Sequence, residues 1–102
     1  MKEALSFDDV LLVPQYSDIK SRRTADLSTE LSSELPFDLP VISSPMDTVT
    51  ESKMASSMAV YGGLGIVHRY NTIAAQVDII NESEGVVAAA IGVTGDYLER
   101  AN

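Results

Sequence analysis

Ser43, Ser44, Pro45, Met46 and Asp47 stand in a row. Two hydroxyls beside a thioether and a carboxylate offer hydrogen-bond donors, acceptors and a polarizable apolar surface within one short segment. Taken alone, a serine pair before proline is a strand-ending turn that satisfies its own backbone, and a lone methionine fills a core. His68 is the only histidine, so neither a histidine metal site nor a Ser–His pair is supported, and a single histidine beside a strand end reads as a structural hydrogen-bonding residue. The absence of cysteine excludes disulfides, thiolate metal sites and thiol nucleophiles within these residues. Lys20, Arg22 and Arg23 form the one basic cluster. Gly62-Gly63-Leu64-Gly65 precedes a strand instead of opening a helix, so it fails as a dinucleotide fingerprint and reads as turn glycines.

These groups need elements to hold them. From Asp8 to Pro40 short apolar pieces, Val10 to Val13 and then Leu27, Leu31 and Leu35, are separated by turn formers with no sustained helical period. We read residues 1–40 as an extended lead-in with short strands lying against a larger body. After Pro40 strands and helices alternate. Val41 to Ser43 is a short buried strand, and Thr48 with Glu51 has capping-box spacing ahead of a helix near Thr50 to Tyr61. Met54, Met58 and Tyr61 recur on one face of that helix, which Gly62 and Gly63 end. Leu64 to Val67 is a second strand. Thr72 opens a second helix, extending to Ser83, with Ile73, Val77 and Ile80 on its apolar face. Val86 to Val93 is a run of small and β-branched residues suited to a parallel strand covered on both faces, and its strand is expected over Val86 to Gly92. Gly95 to Asn102 opens a third helix with Tyr97 and Leu98 as its apolar side. This order implies parallel strands with right-handed crossovers, in either an open doubly wound sheet or a closed eight-stranded barrel.

A chain of 102 residues, 45% hydrophobic and 22% charged, has the composition of at most one globular domain. A net charge of −8 makes duplex nucleic acid and anionic membrane poor partners. Most of the excess acid, including Glu30, Glu34, Glu82, Glu84 and Glu99, falls in segments expected to be exposed. No apolar run approaches the ~20 residues of a membrane helix, and Met1 to Phe7 has no leader pattern, so the expected location is the cytoplasm.

Leu5-Ser6-Phe7-Asp8-Asp9-Val10-Leu11-Leu12-Val13-Pro14 resembles the opening of the IMP dehydrogenase and GMP reductase family. Ser43-Ser44-Pro45-Met46-Asp47-Thr48-Val49, Gly62-Gly63-Leu64-Gly65-Ile66-Val67-His68-Arg69 and Gly92-Val93-Thr94-Gly95-Asp96 resemble further segments of it. Collinear motifs spanning nearly the whole chain are far more specific than any one of them. The resemblance implies an α/β fold, the amino-terminal portion of a (β/α)8 barrel: the lead-in, then, over residues 41–102, about two and a half βα units. Ser44 matches the serine that contacts the nucleotide phosphate, and Met46 the methionine packed on the purine base. Asp47 and Thr48 read as loop-ordering and capping residues. Arg69 matches a basic position near the dinucleotide in GMP reductases. Ser21 and Arg22 match a segment that, in GMP reductases, reaches the dinucleotide of a neighbouring subunit, where an arginine suits a phosphate; a solvated basic turn is the equal alternative.

The implied cofactor is NAD or NADP. A monovalent cation, K+, belongs to the full-length family at a site outside this chain, and the cysteine that attacks carbon 2 of the purine comes from a later loop. The implied partners are a purine nucleotide, IMP or GMP, and either copies of the chain in a tetramer or a complementary barrel fragment. Ser44-Pro45-Met46 resembles the dehydrogenase form, since many reductases carry Asn directly before the methionine. Dehydrogenases typically insert a pair of CBS modules after the second helix, whereas Glu82-Ser83-Glu84-Gly85 passes directly into the third strand. We therefore expect an IMP dehydrogenase-like chain without CBS modules, with GMP reductase as the close alternative and a non-catalytic remnant as the third reading. We also expect these residues to hold no catalytic group, and Ile42, Ile66, Val87 and Ile91 to remain partly uncovered because three strands cannot close a barrel.

Overall fold

A computed structural model describes residues 3–102. The lead-in is extended over residues 10–20 and makes one short 3-10 turn, Arg22–Thr24. Near its start, the Ser6 backbone N–H and hydroxyl both donate to Asp9 Oδ2, at 2.8 and 2.9 Å. These bonds hold the Asp9 carboxyl below the usual carboxylate range. Two short antiparallel strands follow, β1 (Thr29–Ser32) and β2 (Leu35–Phe37), with an irregularity between Glu30 and Ser32. The hairpin is mostly solvent-exposed and buries only Phe37.

The body is a three-stranded parallel sheet in the order β3 (Ile42–Ser43), β4 (Leu64–Val67), β5 (Val87–Ala89). Ile42 pairs with Leu64, and Gly65 to Val67 pair with Val87 to Ala89. Two helices make the crossovers, α1 (Ser52–Val60) and α2 (Ile73–Asn81), and a short α3 (Tyr97–Ala101) follows β5. The sequence-based order of alternating strands and helices holds throughout. Thr72 caps α2 as expected, its hydroxyl accepting from the Ala75 N–H. Gly62 follows α1 at φ +80, a left-handed turn that a side chain would strain.

Three expectations are corrected. The capping box does not form: the N-cap of α1 is Glu51, which makes no side-chain capping bond, and its carboxylate is engaged with His68 instead. The face of α1 that meets the sheet is not Met54–Met58–Tyr61. Met54 and Tyr61 are 40% and 77% exposed, while Ala55 is fully buried, because β4 carries a glycine at the contact. A Cβ on Gly65 would lie 2.5 Å from the Ala55 Cα, so helix and strand approach at backbone distance and only a methyl fits between them. Finally, β5 stops at Ala89, three residues short of the expected Gly92.

The compact core is small: Leu64, Val67, Ala55 and Phe37 are the buried hydrophobic residues. Ile42 is 46% exposed, and Ile66, Val87 and Ile91 are only part-buried, as expected of strands with no opposing layer.

Candidate functional site

The parallel pairing brings the carboxyl ends of β3, β4 and β5 to one edge of the sheet. Three connections leave from it: Ser44 to Thr50, His68 to Asn71 and Ala90 to Asp96. Ser44, Met46 and Arg69 all lie on this edge.

The first connection is tightly built. Met46 N–H donates to Ser44 O, and Val49 and Thr50 N–H both donate to Met46 O, each at 2.9 Å. Thr50 is completely buried, its Oγ1 lying 2.6 Å from Ser44 O and 2.8 Å from Ser43 Oγ. A carbonyl only accepts, so the Thr50 proton goes to Ser44 O, and the Ser43 hydroxyl donates to Thr50 in turn. The backbone is thus held from inside while the Ser44 and Met46 side chains are exposed. Met46 is 49% exposed, and the exposed Ser44 hydroxyl has no hydrogen-bond partner among the described residues. We expect Thr50→Val, which removes one of the two donors to the Ser44 carbonyl and the partner of the Ser43 hydroxyl, to cost about 1 kcal/mol by chemical denaturation. A loss below ~0.5 kcal/mol would show that the hydroxyl does not hold the loop.

The second connection turns on His68, 3% exposed. Its Nδ1 accepts from the Tyr70 N–H at 3.2 Å, which leaves the neutral ring its proton on Nε2, 3.2 Å from Glu51 Oε1. His68 therefore ties the end of β4 to the start of α1, the structural hydrogen-bonding role expected for it. Arg69 beside it is exposed, with its guanidinium carbon 6.0 Å from the centre of the Tyr70 ring. Among the described residues neither Arg69 nor Arg22 pairs with a carboxylate.

Ser21 and Arg22 lie elsewhere. Ser21 caps the 3-10 turn, its hydroxyl accepting from the Arg23 N–H at 3.3 Å. No hydrogen bond among the described residues links this turn to the strand ends. Two cavities, of about 520 and 420 Å³, are lined by none of Ser44, Met46 and Arg69, although the second is formed by Asp47 to Val49 of the first connection together with Met54 of α1. No group of three or more His, Cys, Asp or Glu is placed to hold a metal among the described residues, and no helix there is long and apolar enough to cross a membrane.

The model of the IMP dehydrogenase / GMP reductase domain matches residues 4–102. The chain belongs to the IMP dehydrogenase / GMP reductase family. It is 57% identical over 77 residues to inosine-5'-monophosphate dehydrogenase of Nitrosopumilus maritimus (strain SCM1), covering 76% of this chain and 16% of that protein. It is 51% identical over 100 residues to the enzyme of the same name from Bacillus subtilis (strain 168), covering 94% of this chain and 20% of that one. The crystal structure of inosine 5' monophosphate dehydrogenase from Legionella pneumophila superposes with a TM-score of 0.81 at 42% identity, over 97% of this chain and 31% of the other. The chain thus spans a fifth or less of the length of these curated relatives.

Two residues whose side chains hold the backbone at these strand ends were not singled out from the sequence, Thr50 and Gln76. Each had a signal. Thr50 is a hydroxyl just before the N-cap of a helix. Gln76 is a polar residue in register with the apolar stripe of Ile73 and Ile80, and it is 2% exposed.

Proposed function

We propose that this chain supplies the purine-nucleotide half of an IMP dehydrogenase-type site, in which IMP is oxidised by NAD to XMP within a closed (β/α)8 barrel. The observation that carries this reading is the Ser44–Met46 loop, where an unpartnered hydroxyl and an exposed thioether project from a backbone held by Thr50. The Ser44 hydroxyl donates to the nucleotide phosphate and Met46 packs on the purine face. The donor chemistry at the same edge also suits a dinucleotide. Arg69 is a cation without a carboxylate partner among the described residues, and it lies over a glycine backbone where a Cβ at residue 92 would crowd it at 3.3 Å. Arg69, with Ser21 and Arg22 from the lead-in of a neighbouring copy, would hold the cofactor phosphates. NAD, when bound, supplies the hydride acceptor. No residue here forms the covalent purine adduct, since the chain has no cysteine. The remaining strands come either from the same subunit, assembled as a tetramer, or from a complementary barrel fragment.

The relatives' names favour the dehydrogenase direction. The direct passage from α2 to β5 through residues 82–86 favours GMP reductase, GMP with NADPH to IMP, as the second reading. Both are tested by replacing the matching region of the Bacillus subtilis relative with this chain and offering each substrate pair. In that chimera Ser44→Ala is expected to raise KM for IMP about tenfold or more, the loss of one hydrogen bond to a charged group. An unchanged KM for IMP would remove Ser44 from the phosphate site, and turnover of GMP alone would transfer the reading to the reductase.

A further inference from the structure

The ladder between β4 and β5 ends at a side chain. Its last backbone bond runs from the Ala90 N–H to Val67 O at 2.9 Å. The carbonyls of His68 and Ala90 beyond it accept instead from Gln76 Nε2, at 3.0 and 2.9 Å. A primary amide has two protons, and here each goes to a different strand. The amide oxygen is engaged as well. Arg100 Nη1 donates to it at 3.0 Å, and because arginine only donates, this contact fixes which end of the amide is oxygen. Arg100 in turn donates to Asp96 Oδ2 at 2.8 Å and to Asn71 O at 3.0 Å, with its side chain only 6% exposed. The amide is locked in one orientation by a part-buried network spanning α2, α3 and the loop after β4.

A parallel ladder continued past this point would draw the two strand-end connections together. Gln76 takes the Ala90 carbonyl, the acceptor that the next bond of such a continuation would use, and ties it through the same amide to the His68 carbonyl, so the chains part at His68 and Ala90. Just beyond the parting, Gly92 adopts φ +78 and the Arg69 guanidinium lies against its backbone, where a Cβ would meet Cζ and Nε at 3.3 Å. The early end of β5 and the placement of Arg69 therefore have one cause.

We propose that Gln76 is a positioning residue that terminates the β4–β5 ladder and holds the two strand-end loops at the separation at which Arg69 rests, exposed, on the Gly92 backbone. The geometric part stands on the hydrogen bonds alone. Its consequence for dinucleotide binding rests on the proposed role of Arg69.

The test uses the Bacillus subtilis chimera carrying Gln76→Leu, which removes all three bonds, and Gln76→Glu, which keeps a partner for Arg100 but turns acceptors toward two carbonyls. Should the leucine variant fail to accumulate, the glutamate variant gives the same reading. Backbone amide exchange over residues 69–71 and 92–95 is expected to rise about tenfold or more while exchange in α1 is unchanged. KM for NAD should rise about tenfold with KM for IMP altered less than about twofold. On an Arg69→Ala background, Gln76→Leu should add nothing further to KM for NAD, because both act through one group. Unchanged exchange in the two loops, or a uniform rise across the sheet, overturns the proposal and leaves Gln76 a packing residue. Selective loop exchange together with an Arg69→Ala variant of normal KM for NAD upholds the positioning and removes Arg69 from the cofactor site, so the two ideas fail separately.

Discussion

Gly65→Ala is expected to break the packing of α1 on β4 and to cost more than any other single methyl group added to this chain. The alanine Cβ would sit 2.5 Å from the Ala55 Cα and 2.9 Å from its Cβ, closer than carbon atoms approach. The nearer obstacle is backbone, so no rotamer change relieves it. The helix must move off the strand, carrying Ala55 away from β4, whose Leu64 and Val67 make up most of the rest of the small buried core. Ordinary overpacking costs about 1–3 kcal/mol. A backbone collision at the centre of the sheet should exceed that range, against a typical net stability of ~5–15 kcal/mol. Denaturant unfolding of the chimera should show a midpoint lowered by the equivalent of ~3 kcal/mol or more, with an unchanged slope. The double variant Ala55→Gly, Gly65→Ala should recover little, because removing the Ala55 methyl leaves its Cα in place. A loss under ~1 kcal/mol would show that α1 slides over β4 freely.

The same contact shows what could and could not be read from sequence. Element order and type were legible because they depend on local chemistry: Thr72 caps its own helix, Gly62 supplies the left-handed turn, and apolar runs such as Leu64 to Val67 become strands. The buried face of α1 was not. Large residues at helical spacing, Met54, Met58 and Tyr61, imply a core stripe only if the partner surface has room for them. A glycine at the contact reversed the preference in favour of Ala55. The capping box at Thr48 and Glu51 failed for a related reason, since a long-range partner, His68, took the carboxylate that local spacing assigned to the helix end.

The candidate site divides in the same way. Ser44, Met46 and Arg69 were singled out through the family resemblance of their motifs, and the parallel pairing of β3 to β5 places all three on one edge. The groups that hold them were not found. Thr50 acts on the Ser44 carbonyl and Gln76 on the carbonyls of His68 and Ala90, and a side chain's bond to distant backbone leaves no periodic trace. Polar residues in register with an apolar stripe, as Gln76 is, are the available signal. They point to a buried carbonyl without saying whose.

The polypeptide of residues 1–102, produced alone, is expected to self-associate and to turn over neither IMP with NAD nor GMP with NADPH. Its accessible surface is 8593 Å², against ~5,600 Å² for a folded monomer of its mass. Its radius of gyration is 17.5 Å, against ~13 Å for a compact domain of its length. The surplus is strongly apolar in the lead-in, where Phe7, Leu11, Leu12 and Tyr16 are each more than 90% exposed. Both outer edges of the parallel sheet, on β3 and on β5, are unpaired among the described residues. Fully burying one large apolar side chain is worth about 1.5–3 kcal/mol, so four left in water forfeit an amount comparable to a whole domain's stability. Association through exposed apolar surface and open strand edges follows. Sedimentation should show oligomers or aggregates, and heating should show a broad transition. Adding a polypeptide with the missing strands and the cysteine should restore both a discrete assembly and turnover, since that cysteine is the group the covalent step needs. A monomer with a sharp two-state melt would mean that the lead-in folds back over the sheet and covers the side chains that stand exposed here.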